Sequence, residues 1–270
     1  MSSFRDTSAF HGTQVFGEWI WDDSLVEYRL FKGSAYVNRD SPILLDMGLF
    51  TGPEALGLAQ QQLTNLGVPS VFHPTTFHYE NVSGDSSGFE GFNLVWNSPL
   101  PEWRFGYTRF QAKIHSQGNL VLDPGDIRNP LELTLHIHPA QIYSAEYTKD
   151  EWKITYEKMT IDLKMNNQTP FFRNSYFQVN RQMNSSMEMA LVFSRIQTNI
   201  DADTDTNPYD HGTYLNDKGI TIRKELQENW SLKLEYHRME GTASIRRVLN
   251  PDLRNQKDWE MFLVKTTINF

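Results

Sequence analysis

Apolar and polar residues alternate with a period of two along most of the chain. In WKITYE, which starts at Trp152, the first, third and fifth side chains are apolar and the others are polar. The segments WSLKLEYH, which starts at Trp230, and WRFGY, which starts at Trp103, follow the same pattern. Because a helical face would repeat about every 3.6 residues, this alternation predicts β-strands whose two faces meet different environments.

About twelve segments of this kind are predicted, and several of them exceed ten residues. Strands of globular proteins are usually about five or six residues long, whereas a tilted strand needs about nine to eleven residues to cross a bilayer. The predicted strands are 10–21, 27–37, 42–50, 88–97, 102–114, 140–148, 152–165, 172–183, 186–197, 215–226, 229–242 and 258–270.

The connections between these segments fall into two length classes. The short ones are NSPLP (97–101), KDE (149–151), MNSS (183–186) and QEN (227–229). The long ones, rich in Asp, Asn, Gly and Pro, are 51–87, 115–139, 198–214 and 243–257. Short and long mostly alternate, although 22–26 and 166–171 are short on the long side. Such segregation is typical of transmembrane barrels, which have short periplasmic turns and longer outside loops.

These features predict an all-β fold: a single domain, residues 1–270, forming an antiparallel, up-and-down transmembrane β-barrel of about twelve strands. A closed barrel satisfies its backbone polar groups internally, as a membrane requires. Aromatic residues near predicted strand ends favour girdles at the two membrane surfaces; they are Trp103, Trp152, Trp230, Tyr236 and Trp259. The alternative is a large soluble all-β protein with aromatic residues in its core.

The longest loop, 51–87, contains a segment with helical character. PEALGLAQQQLTNLG (53–67) has Pro53 at a position suited to a helix start and Gly67 at its stop. Long loops with structure of their own are usually functional or disordered. We expect this helix either to fold into the barrel and narrow it, or to lie on the outer rim.

Composition narrows the classes of function. The 270 residues include no cysteine, which excludes disulfides and thiolate sites. The formal net charge of −8 argues against nucleic acid as a partner, because such binding needs a basic face. The N-terminal MSSFRDTSAF lacks the charged and apolar regions of a signal peptide, so this sequence is either a mature form, a fragment or a protein that is not exported.

Several stretches resemble a group of gammaproteobacterial outer-membrane porin-like proteins, from about Leu44 to the end. The similarity is clearest in SAEYTKDEWKITYE (144–157), DKGITIRKELQENWSLKLEYHRMEGTA (217–243) and DWEMFLVKTTINF (258–270), and weaker in LLDMGLFTGP (44–53) and VPSVFHP (68–74). The resemblance implies a location in the bacterial outer membrane. Asp46 and Met47 stand where these proteins commonly have basic residues. Family members are longer and carry a signal peptide, so we expect that an N-terminal portion is missing here or has diverged.

The expected function is passive diffusion of small hydrophilic solutes or ions, without a cofactor. In a channel the functional residues are charges that face the lumen. The alternation predicts that these are Asp46, Arg104, Lys153, Glu157, Glu188, Arg223, Glu225, Lys233, Glu235, His237 and Lys265. Pairs such as Lys153 with Glu157, or Arg223 with Glu225, could simply stabilise a polar interior. The net charge predicts at most a mild cation preference.

Two alternatives belong to other classes. An outer-membrane barrel enzyme acting on lipid or ester would need a nucleophile and a base, but the sequence has no G-x-S-x-G motif. A soluble β-rich binding module would agree with the missing signal peptide and the negative charge. The partners expected for a channel are outer-membrane lipid and lipopolysaccharide, the barrel-assembly machinery and, as an option, further copies of the chain.

Two weak metal-site patterns are present. Asp201, Asp203 and Asp205 alternate in a loop but lack the Gly and the Glu of an EF-hand, so a solvated loop is the simpler interpretation. His136 and His138 share a strand face without an identifiable third ligand. No metal is therefore expected.

The last residues, VKTTINF, alternate up to the final position. The pattern predicts that Val264, Thr266, Ile268 and Phe270 face lipid, with Phe270 in the periplasmic girdle. The family resemblance implies that this strand is also the signal that the barrel-insertion machinery reads.

Overall fold

The computed structural model describes residues 7–37, 59–123, 127–165, 169–199, 211–243 and 256–268. These residues form one eleven-stranded sheet in which each strand pairs with its neighbours in sequence. The strands are β1 (Thr7–Trp21), β2 (Ser24–Val37), β3 (Thr76–Asn97), β4 (Trp103–Asp123), β5 (Ile127–Lys149), β6 (Trp152–Met165), β7 (Phe171–Asn184), β8 (Met187–Thr198), β9 (Tyr214–Gln227), β10 (Trp230–Gly241) and β11 (Asp258–Ile268).

Every strand pair in this sheet is antiparallel, so the chain runs up and down between neighbouring strands. The predicted all-β, antiparallel, up-and-down fold is confirmed, and the sheet is consistent with a barrel although the described pairings leave β1 and β11 at its edges. β2 pairs directly with β3, from Leu25 opposite Asn97 to Val37 opposite Gly84. The predicted strand 42–50, which lies outside the described residues, therefore does not separate them, and the described sheet has eleven strands instead of twelve.

The connections at one end of the sheet are all short, whereas those at the other end include both short and long ones. One end, called the turn end below, has the connections 22–23, 98–102, 150–151, 185–186 and 228–229. The other, called the loop end, has the connections 38–75, 124–126, 166–170, 199–213 and 242–257. Because β2 pairs with β3, the turn after Trp21 belongs to the turn end. It no longer departs from the predicted segregation.

One face of the sheet, called the outer face, is apolar and exposed. Leu191 in the middle of β8 lies opposite Val179 and Ile220 on the neighbouring strands, and all three point to this face. Large apolar side chains of the other strands are exposed on the same face; examples are Trp21, Leu30, Leu94, Trp103, Tyr156, Phe193 and Val264. A soluble sheet would bury such a face against a second layer.

The opposite face, called the inner face, is mainly polar between β6 and β10. Its buried residues include His237 and Thr221. Exposed large apolar side chains on this face are Phe16, Ile20 and Leu263, which belong to the edge strands β1 and β11. The polarity of the sheet is thus the reverse of a soluble protein, in which apolar side chains face inward.

Strands β3, β4 and β5 extend far beyond the others at the loop end. β4 has 21 residues and β10 has 12, which correspond to about 70 Å and about 40 Å at 3.3 Å per residue. The prediction of loops over 51–87 and 115–139 is therefore wrong in part. Residues 76–87 belong to β3, and only 124–126 connect β4 to β5.

β-Bulges explain why the alternation pattern did not predict this extension of the strands. Register shifts interrupt β3 between Glu80 and Ser83 and between Ser87 and Glu90, and Gly88 has a positive φ of 60°. An extra residue in one strand moves the following side chains to the other face. The period of two is then lost in the sequence although the backbone pairing continues.

The helix predicted in the long loop is present over its described part. It spans residues 59–65 and ends where Gly67, with a φ of 75°, allows the Val68 amide to donate to the Leu63 carbonyl at 3.0 Å. No helix of the described residues is long and apolar enough to cross a membrane.

Two hydrogen bonds hold this part of the loop at the tip of the β3–β4 extension. The Gln60 side-chain amide donates to the Pro74 carbonyl at 2.8 Å, and the Thr75 amide donates to the Asp123 carbonyl at 2.7 Å. Pro53 and the rest of 51–58 lie outside the described residues. A role of the loop in narrowing the barrel therefore stays a prediction.

The same tip contains a histidine that should respond to pH. The Asp123 carboxylate, 2.7 Å from His78 Nδ1, raises the pKa of His78 above the usual 6.5, and Glu80 at 3.5 Å adds to this. A raised pKa means that the contact stabilises the tip below pH 6.5 and is lost as the pH rises through the raised value. NMR titration of the His78 ring should show the shift, and Asp123→Asn should remove most of it. A pKa at or below 6.5 in the unaltered protein would contradict the expectation.

Candidate functional site

The inner face collects the charges that the sequence predicted to line a pore. Facing residues can be followed from strand to strand between β4 and β11. This register puts ten predicted residues on the inner face: Arg104, Lys153, Glu157, Glu188, Arg223, Glu225, Lys233, Glu235, His237 and Lys265. Asp46 lies outside the described residues. That these residues share one face follows from the alternation alone. That they line a pore stays a prediction.

A row of basic residues crosses three neighbouring strands near the turn end. Lys233 on β10 lies directly opposite Arg223 on β9 and Lys265 on β11. Arg223 in turn lies opposite Glu188 on β8. Directly opposed residues have Cβ atoms about 5 Å apart, where like charges repel each other. The row therefore needs compensating charge nearby.

Carboxylates two residues further along the same strands supply part of this compensation. Arg223 contacts Glu225 at 2.6 Å and Lys233 contacts Glu235 at 3.0 Å. Within the described residues, Lys265 makes no ion pair. The predicted pair of Lys153 with Glu157 is not formed, because Lys153 contacts Glu146 on β5 at 2.8 Å.

These side chains surround a concavity of about 580 Å³ on the inner face. It is bordered by β7 to β11, with Tyr176 and Gln178 on one side and Lys265 and Thr267 on the other. Seven permanently charged side chains line it: Glu188, Asp217, Glu225, Glu235, Arg223, Lys233 and Lys265. Charged and other polar side chains make up most of its lining.

His237 is the buried histidine of this wall, with 8% of its surface exposed. Its Nδ1 atom lies 2.9 and 3.1 Å from the two carboxylate oxygens of Asp217, and its Nε2 atom lies 3.4 Å from Glu235 Oε2. Gly219 faces it on β9, and a Cβ atom there would approach the imidazole to 2.7 Å. The absence of a side chain at Gly219 therefore makes room for the ring.

The surroundings of His237 do not resemble a hydrolase triad. A catalytic histidine uses one nitrogen to bind a carboxylate and the other to accept a proton from a nucleophile. Here both nitrogens face carboxylates, so neither is directed at a hydroxyl group. The two carboxylates fix the orientation of the ring.

Several residues of the wall were not identified from the sequence. Glu146 contacts Lys153, Asp217 contacts His237, and Glu27 on β2 lies 3.9 Å from Arg104 and accepts a hydrogen bond from Asn97 at 2.9 Å. Asp217 alternates in phase with Arg223 and Glu225 on β9, so the spacing could have revealed it. No charged position was predicted on β5, and the pairing of Glu146 with Lys153 could not be inferred from the sequence.

The prediction that Trp259 belongs to an aromatic girdle is wrong. Trp103, Trp152 and Trp230 begin β4, β6 and β10 on the outer face at the turn end. Trp259 lies on the inner face, where it packs against the buried Leu215, Met239 and Ala243. Its Nε1 atom donates to the Gly241 carbonyl at 3.0 Å.

The described part of the C-terminal strand agrees with the predicted alternation. Val264 and Ile268 are exposed on the outer face, and Lys265 points to the inner face. Thr266 accepts a hydrogen bond from Trp230 Nε1 at 2.7 Å. Phe270 lies outside the described residues, and the role of this strand as an assembly signal stays a prediction.

Neither metal pattern gains support from the geometry. Asp201, Asp203 and Asp205 lie outside the described residues. His136 and His138 are exposed on β5, and no described group of three His, Cys, Asp or Glu side chains could hold a metal ion.

No protein-family model and no curated protein matches the chain. Among solved structures, the β domain of the Bordetella autotransporter BrkA matches with 9% identity and a TM-score of 0.41, covering 95% of this chain and 88% of that one. OmpT expressed in the outer membrane of Vibrio cholerae matches with 11% identity and a TM-score of 0.42, covering 88% and 76%.

A third solved structure, the CymD monoaromatic hydrocarbon channel, matches with 10% identity and a TM-score of 0.38, covering 97% of this chain and 78% of the other. All three TM-scores lie below 0.5. The function of this chain must therefore be inferred from its own residues.

Proposed function

We propose that this protein is a porin-like channel of the bacterial outer membrane, through which small hydrophilic solutes or ions diffuse passively. The observation that carries the proposal is the opposite polarity of the two faces. Leu191, Val179 and Ile220 represent an outer face that suits lipid, while Gln178, Thr221 and Lys233 represent an inner face that suits water. A transmembrane barrel with a polar lumen needs this combination.

The charges of the inner concavity support weak selectivity. Four carboxylates and three permanently basic groups line it. Most of them are paired at short range, so a passing ion meets a nearly balanced field. We therefore expect a channel that admits both cations and anions.

A planar lipid bilayer containing the purified protein should show stepwise conductance. Because the chain has no cysteine, single cysteines can be introduced on each face. Gln178 on the inner face and Val179 on the outer face are adjacent on β7. A charged, water-soluble thiol reagent should change the conductance of Gln178→Cys and leave that of Val179→Cys unaltered.

Three results would contradict the proposal. Equal effects of the reagent at both positions would remove the distinction between a lumen and a lipid face. Turnover of lipid or ester without conductance would favour an enzyme. Purification as a monodisperse monomer without detergent would favour a soluble module.

A further inference from the structure

The apolar run of the outer face ends at a basic residue on many strands. On β8 the outward positions Met187, Met189, Leu191 and Phe193 are followed towards the loop end by Arg195. The same change occurs on other strands, at Lys32, Arg109, Lys158, Lys218 and Arg238. These exposed residues form a basic belt at the loop-end border of the apolar band.

The belt is densest on β8, β9 and β10. Lys218 lies directly opposite Arg238, and Arg195 lies opposite Asn216, two residues away from Lys218. Like charges at directly opposed and diagonal positions destabilise a sheet. A bound anion would relieve this repulsion.

Internal carboxylates compensate only part of this charge. Arg238 faces Glu260 on β11, and Lys32 forms an ion pair with Glu90 at 3.2 Å. Across the described ranges, no carboxylate forms an ion pair with Arg195 or Lys218. Glu240, which borders the same region, is paired with Lys257 at 2.8 Å.

A groove of about 310 Å³ lies next to these two basic residues. Tyr156, Phe177 and Phe193 form its part towards the turn end, with the two phenylalanine rings 6.3 Å apart. Lys218 lies directly opposite Phe193, beside these rings, and Arg195 lies two residues further along β8 towards the loop end. Aromatic surface therefore adjoins a pair of cations, an arrangement that matches the two ends of an anionic lipid.

We propose that this groove binds a phosphorylated lipid of the leaflet at the loop end. The phosphate lies between Arg195 and Lys218, where Arg offers planar donors and Lys a point charge. An acyl chain of the lipid covers Phe177 and Phe193. This proposal rests on the proposed membrane location, and it specifies the chemistry of the lipid that the groove selects.

The test uses full-length protein in nanodiscs of phosphatidylcholine with added bis-phosphorylated lipid A, followed by native mass spectrometry of bound lipid. Removing two cations with Arg195→Gln/Lys218→Gln should weaken lipid A binding about thirtyfold, because each basic residue near a lipid surface contributes about fivefold. The charge-preserving Arg195→Lys/Lys218→Arg should retain most of the binding.

A matched control removes the same net charge from the inner face, with Lys153→Gln/Lys265→Gln. It should bind lipid A like the unaltered protein. Equal loss in this control, or equal binding of dephosphorylated lipid A, would overturn the proposal. Equal displacement by inorganic phosphate would show a free-phosphate site and would also overturn it.

The lipid site and the channel can fail separately. The Arg195→Gln/Lys218→Gln variant should keep the stepwise conductance and the heat-modifiable gel mobility of a folded barrel. If neither the unaltered protein nor any variant conducts, while phosphate-dependent lipid binding is intact, only the channel proposal is contradicted. Intact conductance without phosphate-dependent binding would contradict the lipid site alone.

Discussion

A Leu191→Arg variant is expected to lose about 2–4 kcal/mol of folding free energy in a lipid bilayer. Leu191 lies in the middle of β8 on the outer face, between Val179 and Ile220, and 48% of its surface is exposed. In lipid, an arginine there would carry its charge into hydrocarbon. In a soluble sheet, an exposed leucine could be replaced by arginine at a cost of about 0.5 kcal/mol or less.

Urea titration of the protein folded into vesicles would measure this difference. Gln178→Arg on the inner face of β7 is the matched control, because its side chain points into the polar concavity. We expect this control to remain within about 0.5 kcal/mol of the unaltered protein. Equal stability of both variants would argue that the outer face does not meet lipid.

Reversing two charges in the basic row should change ion selectivity. Lys233 and Lys265 are directly opposed on β10 and β11, and both line the inner concavity. Two unit charges 4 Å apart interact by about 1 kcal/mol even in bulk water, which corresponds to about fivefold in local ion concentration. Lys233→Glu/Lys265→Glu should therefore raise the cation-to-anion permeability ratio at least about fivefold.

The reversal potential in a salt gradient across a planar bilayer would report this ratio. Glu225→Lys, two residues from Arg223 on the same face, adds positive charge and should shift the reversal potential in the opposite direction. Shifts of the same sign in both variants, or no shift in either, would mean that this wall does not face the conducting path. High salt should reduce both effects because it screens the charges.

The alternation of apolar and polar residues was sufficient to predict most strand positions and to assign side chains to the two faces. β6 spans Trp152–Met165 as predicted, and β10 spans Trp230–Gly241 against a predicted 229–242. A period of two needs only neighbouring residues to be recognised, and it survives wherever a strand is regular. The same phase assigned Lys153 and Lys233 to one face.

The extension of β3, β4 and β5 could not be found in this way. Residues 76–87, 115–123 and 127–139 contain bulges, glycines and polar runs, and they are strands because long-range pairing supplies their hydrogen bonds. β-Propensity depends strongly on such context. The residues within each stretch do not indicate which strand it pairs with.

The sequence by itself determined the strand periodicity and the polarity of the two faces, because each depends on residues close together in the chain. Only the tertiary structure decided the direct pairing of β2 with β3, the partnership of Lys153 with Glu146 and the inward position of Trp259. These depend on register between strands, which is set by contacts across the sheet. The proposed lipid groove belongs to the same class, since Arg195 and Lys218 lie 23 positions apart in the sequence and meet only through the pairing of β8 with β9.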